Sequence, residues 1–308
     1  MPKLFITGIA GLVGSSLAKD ALQNGWDVAG IDLIPRSSAS RLNGLKLDYS
    51  WGSCQDITPK AFVGARYVVH AAAVADVPLA LGSPSYTLQQ NVMGTLALMQ
   101  ACLEAQVERV IIQSSESVYG KANGRIIETT PLSPVNIYGA SKAAQEMVAL
   151  SFWESYQLPV VVLRSSTLFG PGMRANQVVP IFLRKALAGE PITVHGDGKQ
   201  SRDFNYISNL IDALRMVLGP EPWLEGGDIF NISGDNEISI LDLAQKCIEV
   251  MGSKSTIIHL PQRVGEQDLH LVPDCHKAFV RLGYQPKVSF DEGLAIMTKH
   301  MVREAIKA

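Results

Sequence analysis

Lys3-Leu4-Phe5-Ile6-Thr7-Gly8-Ile9-Ala10-Gly11-Leu12-Val13-Gly14 is the stretch that decides the fold. A short apolar run, Lys3–Thr7, meets three glycines at fixed spacing, and a helical pattern follows over Leu12–Asn24. In such a turn the first glycine permits the tight bend. The second lets the backbone approach a pyrophosphate, and the third lets helix pack on strand. The helix N-terminus adds free N–H groups and a partial positive charge for the phosphates. Gly8, Gly11, Leu12, Val13 and Gly14 therefore read as a dinucleotide cradle. Asp32 closes the next apolar stretch, Asp27–Ile31. An acid there accepts from a ribose 2′-hydroxyl and repels a 2′-phosphate, so the expected cofactor is NAD rather than NADP. Arg36 argues the other way, since it could meet a 2′-phosphate. A glycine triplet alone is a weak signal; set between strand and helix, with an acid at the next strand end, it is a specific one.

Outward from this stretch the pattern repeats. Short, continuously apolar runs at Tyr67–His70, Val110–Gln113 and Val160–Leu163 alternate with helical patterns at Leu88–Ala105 and Ser141–Tyr156. Strands buried on both faces have this texture. Alternation of strand and helix predicts a doubly wound parallel sheet with right-handed crossovers. After Gly170-Pro171-Gly172 turn signals become denser, at Gly189-Glu190-Pro191, Gly196-Asp197-Gly198 and Gly226-Gly227. The expected organisation is α/β throughout. A Rossmann-type NAD-binding domain spans 1–172, with a segment near 203–233 returning to it, and a smaller substrate domain spans 173–308.

Composition narrows the function. The chain has 308 residues, 47% hydrophobic and 18% charged, enough for one large or two modest domains with a buried core. A formal net charge of −2 argues against a nucleic-acid partner held by bulk electrostatics. Cys54, Cys102, Cys247 and Cys275 are far apart with no CxxC pair, which predicts neither a disulfide framework nor a metal site and fits a reducing, cytoplasmic compartment. The apolar N-terminus superficially resembles an export signal, but the glycines inside it favour a strand and a helix. No uninterrupted apolar run reaches the length of a membrane span.

Two further motifs carry chemistry. Tyr138-Gly139-Ala140-Ser141-Lys142 sets a phenol and an ammonium at i and i+4 on one helical face. A cation nearby favours the phenolate, so the pair could move a proton to or from a hydroxyl or carbonyl. The run Val110–Gln113 ends in Ser114-Ser115-Glu116-Ser117-Val118-Tyr119-Gly120. Ligands of parallel sheets sit beyond the carboxyl ends of strands, where these hydroxyls lie. Plainer readings exist: Ser114 and Ser117 as caps, Tyr119 and His70 as core, Asn91 as a helix cap.

Together the glycine triplet, His70-Ala71-Ala72-Ala73, Asn91, Ser115 and Tyr138…Lys142 resemble the extended short-chain dehydrogenase/reductase family. Within it the chain is similar to the sugar-nucleotide epimerase/dehydratase group, whose archetype is UDP-glucose 4-epimerase. The resemblance implies that Tyr138 is the general acid/base, that Lys142 holds the nicotinamide ribose and depresses the Tyr138 pKa, and that Ser115 bonds the reacting sugar oxygen. Ala71, Ala72 and Asn91 join the cofactor set. Asp56 and Ile57 would contact adenine, with Asp48 the rival acid. Val178 opens the segment that closes over the nucleotide base. Arg202, in the Gly196–Phe204 match, and Arg263 would meet the diphosphate with their bidentate forks. Glu266 would meet the nucleotide ribose, and Thr167 stands where many members have a substrate-binding Asn. Asn209 replaces a usual Asp.

Dehydratases of the group share an Asp-Glu pair after the catalytic Ser or Thr; here those positions are Glu116 and Ser117. The missing carboxyl weakens dehydration, and Ser117 equally weakens decarboxylation; both residues join the substrate set, Glu116 as one that could reach a substrate hydroxyl or equally stand as a solvated loop residue. The implied activity is NAD-dependent C4 epimerisation of a nucleotide-diphosphate sugar. The alternatives are a 4-ketoreductase or dehydrogenase, a 4,6-dehydratase, and a non-catalytic dinucleotide sensor. Relatives pair through the helices bearing Asn91 and Tyr138, which implies a homodimer; Leu96, Leu98, Met147 and Phe152 are apolar candidates for that face.

Overall fold

A computed structural model describes residues 2–122, 125–219, 224, 226–262 and 270–307. Six strands form in the first half: β1 (Lys3–Thr7), β2 (Asp27–Asp32), β3 (Asp48–Trp51), β4 (Ala65–His70), β5 (Arg109–Ser115) and β6 (Val160–Ser165). Then come β7 (Thr167–Phe169), β8 (Ile192–His195), β9 (Ser201–Arg202), β10 (Phe204–Tyr206) and β11 (Asp228–Ile232). Last are β12 (Ile238–Ser239), β13 (Ile257–Leu260) and β14 (His270–Leu271). The large sheet runs β11-β6-β5-β4-β1-β2-β3, every neighbouring pair parallel. The order reverses between β1 and β4, so a crevice opens beyond their carboxyl ends, where Gly8 and Ala71 lie.

Why these runs are strands is visible in their two faces. Leu4, Ile6, Tyr67, Val69, Ile111, Val161 and Leu163 enter one core, with the helices Leu12–Gln23 and Ile207–Val217. The alternate residues Phe5, Val68, Val110, Ile112, Val160 and Val162 enter a second, with the helices Gly94–Glu104 and Ile137–Tyr156. A pleat sends successive side chains to opposite faces, and a sheet covered on both sides needs apolar residues at every position.

Two strands of the large sheet carry no strand signal of their own, for opposite reasons, although the segment near 203–233 that holds β11 is expected to return to this domain. β3 is a polar edge strand, Asp-Tyr-Ser-Trp, with no apolar run to betray it. β11 lies in the later, turn-rich half, yet it pairs with β6. Leu98 and Phe152 belong to the core and Leu96 packs against it, whereas Met147 is 63% exposed. Of those four apolar candidates for a partner face, Met147 alone faces outward.

The later residues build small sheets: β10 on β7, β9 between β12 and β14, and β13 on β8. Phe169, Phe204, Tyr206 and Phe290 stack with ring centroids 5.4 to 6.4 Å apart, holding β7 and β10 to the helix Phe290–Lys307. Asn209 is part of that framework. Its amide donates to Asn205 and to the Val288 carbonyl and accepts from the Lys287 and Val288 N–H groups. The replacement of the usual acid there thus has a structural use. Among the described residues no helix is long and apolar enough to cross a membrane.

Candidate active site

The cradle at the end of β1 is as tight as the glycines require. Gly8 has φ +67°, and a Cβ there would come within 2.7 Å of Ala72 backbone. A Cβ on Gly14 would reach 2.3 Å from the Gly8 carbonyl. Turn, helix and the Ala71–Ala72 segment therefore close on one another through bare backbone. The Ala71 N–H donates to the Thr7 carbonyl and the Ala72 N–H to the Thr7 hydroxyl. Leu12 and Val13 begin the helix whose N-terminus faces the crevice. Asp32 ends β2, taking the Ala10 N–H at 2.9 Å and the Ile34 N–H at 3.0 Å. These bonds present a carboxylate at the strand end, where a ribose would lie. Arg36 turns elsewhere: it donates to the Leu42 carbonyl at 2.8 Å and lies over the Tyr49 ring. Arg41, which the sequence reading passed over, is the arginine at the crevice, donating to Ala10 and Gly172 carbonyls.

The rival acids separate cleanly. Asp48 lies at the start of β3 and pairs with Lys3 at 3.1 Å, at the amino ends of the strands. Asp56 is exposed in the short helical turn after β3, with Ile57 buried next to it, on the carboxyl side.

Asn91 is fully buried on a π-helical turn. Its carbonyl oxygen accepts from the Val74 N–H at 2.7 Å, and its amide donates to Ser141 at 2.8 Å. It therefore clamps the loop after β4 to the helix that carries Tyr138. His70 is buried beneath. It contacts Thr7 through Nδ1 and Thr95 and Gln145 through Nε2, and burial brings its pKa down to about 3, so it is neutral.

The catalytic helix, Ile137–Tyr156, starts at Asn136, whose side chain caps the Gly139 N–H at 2.8 Å. A Cβ on Gly139 would sit 2.5 Å from the Ser117 carbonyl. That close approach delivers Tyr138 to the end of β5, where the Ser115 hydroxyl acts on its phenol. Burial raises the Tyr138 pKa; the Ser115 bond and the Arg174 charge lower it, and Glu116 raises it. The cation named by the sequence was Lys142. In the structure the Lys142 ammonium donates to the Gln113 carbonyl and to Gln145, and burial lowers its own pKa to about 8. Arg174 is the cation that acts on the phenol, and it donates to the Ala75 carbonyl at 2.7 Å. It stands in a loop after Gly172, where no local pattern marks it.

Tyr119 is fully buried, as its plainer reading has it, whereas Ser114 does not cap the next element. Ser114 donates to Glu146, which is bonded bidentately by Arg164, and Arg164 also reaches the Tyr119 hydroxyl at 2.9 Å. This buried pair locks β5, β6 and the catalytic helix together. Ser115 rather than Ser117 is the cap: its hydroxyl accepts from the Ser117 N–H and donates to the Ser117 hydroxyl. Glu116 is only 3% exposed, and Thr167 donates to its Oε1 at 2.8 Å. Arg202, on β9, acts on the Glu116 carboxyl through its charge, which brings the expected diphosphate arginine to the catalytic end. Val178 begins the helix Val178–Ala188, which lines a separate cleft with the helix Phe290–Lys307, sharing no residue with Ser115, Tyr138 or Lys142. Arg263 and Glu266 lie outside the described residues.

A glycine cradle at a sheet's switch point, an acid at the next strand end, and a Ser–Tyr pair with a buried lysine define a dinucleotide-dependent enzyme of the short-chain dehydrogenase/reductase type. Comparison makes this specific. The model of the NAD dependent epimerase/dehydratase family matches residues 4–233, and the chain belongs to that family. It is 30% identical over 304 residues to a Bacillus subtilis protein named as an uncharacterized UDP-glucose epimerase, covering 95% of each. A solved UDP-glucuronic acid 4-epimerase from Bacillus cereus, with UDP-glucuronic acid and NAD, superposes with TM-score 0.91 at 28% identity, covering 98% of this chain and 99% of that one. A dTDP-glucose 4,6-dehydratase from Streptomyces venezuelae, with NAD, also superposes at 0.91, with 27% identity over 99% and 98%. The chain is thus an NAD-dependent enzyme of the sugar-nucleotide epimerase/dehydratase class.

Proposed function

We propose that the protein epimerises a nucleotide-diphosphate sugar at C4. The observation that carries this reading is the Ser115–Tyr138 contact, beside which only one carboxyl, Glu116, stands where dehydration uses two. NAD, when bound, supplies a hydride acceptor and donor beside the sugar. The cradle Gly8–Gly14 would hold its pyrophosphate, Asp32 its ribose, and Asp56 with Ile57 its adenine. Asp56, on the carboxyl side of the sheet, suits that role better than Asp48. Tyr138 takes the proton of the C4 hydroxyl and later returns it. Ser115 bonds the same oxygen, and Lys142 orients the nicotinamide ribose. The 4-keto sugar turns over in the pocket and is reduced at its other face. Arg202 and Arg263 engage the diphosphate, Val178 the base, Glu266 the nucleotide ribose, and Thr167 the sugar. The part beyond 172, β11 apart, forms the substrate half. The exposed Met147 supports pairing of two copies through the catalytic helix.

Because no net oxidation occurs, the cofactor should remain bound through purification. Mass spectrometry of released nucleotide, followed by nuclear magnetic resonance of products from UDP-, dTDP- and GDP-sugars, tests this. Protein that carries no dinucleotide and turns over only with added NADH or NADPH is a reductase instead. A dehydrated keto sugar as product supports the second reading, a 4,6-dehydratase, which the buried Glu116 favours.

A further inference from the structure

Lys142 is buried, and its ammonium carries three donors and no acceptor. Two of them go to the Gln113 carbonyl, near the end of β5, and to the side-chain oxygen of Gln145, one helical turn on. At most one is left for a cofactor hydroxyl. Glu146, at i+4, would be the ordinary partner of a helical lysine. It is held instead by Arg164 of β6 and by the Ser114 hydroxyl. The ammonium therefore meets a neutral amide, which sets its direction without cancelling its charge.

That contact fixes the atoms behind it. Gln145 is fully buried and turns its oxygen to Lys142, because an amide NH2 there would set donor against donor. Its nitrogen then lies 2.8 Å from His70 Nε2. An amide nitrogen only donates, so Nε2 accepts and the neutral ring carries its hydrogen on Nδ1. Nδ1 donates to the Thr7 hydroxyl at 2.6 Å. Thr7 ends β1, and its oxygen also accepts from the Ala72 N–H at 3.2 Å. Thr95 offers the rival arrangement. Its hydroxyl lies 2.9 Å from the same Nε2 and donates to the Asn91 carbonyl. A hydrogen on Nε2 would satisfy Thr95 but oppose the Gln145 amide. The ammonium decides between them, since a charge-assisted bond is the stronger kind.

We propose that Gln145 is a positioning residue for Lys142, and that His70, with its hydrogen on Nδ1, holds Gln145 in that role. The chain Thr7–His70–Gln145–Lys142 ties the strand of the glycine cradle to the ammonium, across β4 and the catalytic helix. The inference rests on Lys142 serving the bound cofactor, whichever reaction follows. Among the described residues, the titratable groups that act on Lys142 or feel its charge are His70 of β4 and Glu146 of its own helix, with Arg164 on Glu146. Tyr138, one turn earlier, answers to Arg174 and Glu116. Burial keeps His70 neutral, so the proton lost near pH 8 belongs to Lys142.

Gln145→Leu and Gln145→Glu test it, with thermal melting of the NAD-loaded proteins to show that each folds. Gln145→Leu takes an acceptor from the charged form, so the Lys142 pKa falls and the alkaline limb of kcat/KM moves to lower pH. Gln145→Glu sets a carboxylate on the ammonium, so the pKa rises and the limb moves to higher pH, by about one unit or more. Gln145→Leu should also lower kcat roughly tenfold, the scale of one hydrogen bond to a charged group, with KM for the sugar nucleotide changed less than about threefold. Nitrogen-15 spectra of histidine-labelled, NAD-loaded protein read the tautomer without turnover. The signal that His70→Asn removes should show hydrogen on Nδ1 in wild type and on Nε2 in Gln145→Leu, where Thr95 takes over. Hydrogen on Nε2 in wild type overturns the proposal, as do limbs that stay in place in both Gln145 variants. Lys142→Met separates that failure from failure of the reading beneath it. If Lys142→Met keeps wild-type turnover, Lys142 does not serve the cofactor, and the proposal falls with that reading. If Lys142→Met loses turnover while the Gln145 variants behave as wild type, the proposal alone falls.

Discussion

The two ends of the site are built by different means. The cofactor end is made of backbone: Gly8, Gly14 and Ala72 touch because side chains are absent, and one short segment of chain supplies most of it. The proposed sugar end draws side chains from β5 and the turn after it, β7, β9 and the helix Ile137–Tyr156: Ser115, Glu116, Thr167, Arg202 and Tyr138. Backbone geometry suits a ligand common to a whole family, because a pyrophosphate needs only N–H groups and room. Side chains on separate elements can change one at a time, which is where substrate and reaction are decided.

The largest test of this division is Tyr138→Phe. It should cut kcat by about 10²- to 10⁴-fold, the usual share of a general acid/base, while bound NAD is retained. Loss of nucleotide together with activity would show that the ends are not separable. Next comes the frame beneath both. Glu146→Ala leaves Arg164 buried and unpaired and should cost about 3–5 kcal/mol in urea unfolding; a Glu146→Leu/Arg164→Met double variant should lose much less. At the cofactor end, Gly14→Ala forces a methyl against the Gly8 carbonyl. A loss of about 1–3 kcal/mol is expected, with weaker NAD binding by calorimetry, as overpacking predicts.

A pH profile probes the junction. Lys142 is charged below its lowered pKa of about 8 and neutral above it. Activity that needs the ammonium should therefore be full below about pH 8 and fall above it. An optimum well above pH 9 in kcat/KM would break this assignment. The smallest effect is expected from Arg36→Ala. Arg36 is bonded to Leu42 and laid on Tyr49, so the NAD-over-NADP ratio should shift by less than about 0.5 kcal/mol in binding titrations.

How much was legible follows the same line. Lys3–Thr7, Gly8–Gly14 and Asp32 are near neighbours in sequence, and strand, turn and acid were read where they stand. Tyr138 and Lys142 were read as a pair because a helix fixes i and i+4. The polar edge strand β3 was missed for want of an apolar run. Arg174 and Arg41 were missed because they reach the site from loops, and Gln145 because its use depends on where Lys142 points. The part of Asn91 that no local pattern shows is its clamp between the Val74 loop and Ser141, which joins residues far apart in the chain.

The parallel sheet and the tight glycine turn are legible in the order of residues alone, since both rest on short-range periodicity and backbone sterics. Only the tertiary structure decided which charges meet. It set the Arg174 charge near the phenol, left one buried oxygen of Glu116 without a partner among the described residues, and brought the Arg202 charge from a distant strand to that carboxyl. Charge interactions depend on distance and burial, and neither is written in the order of residues.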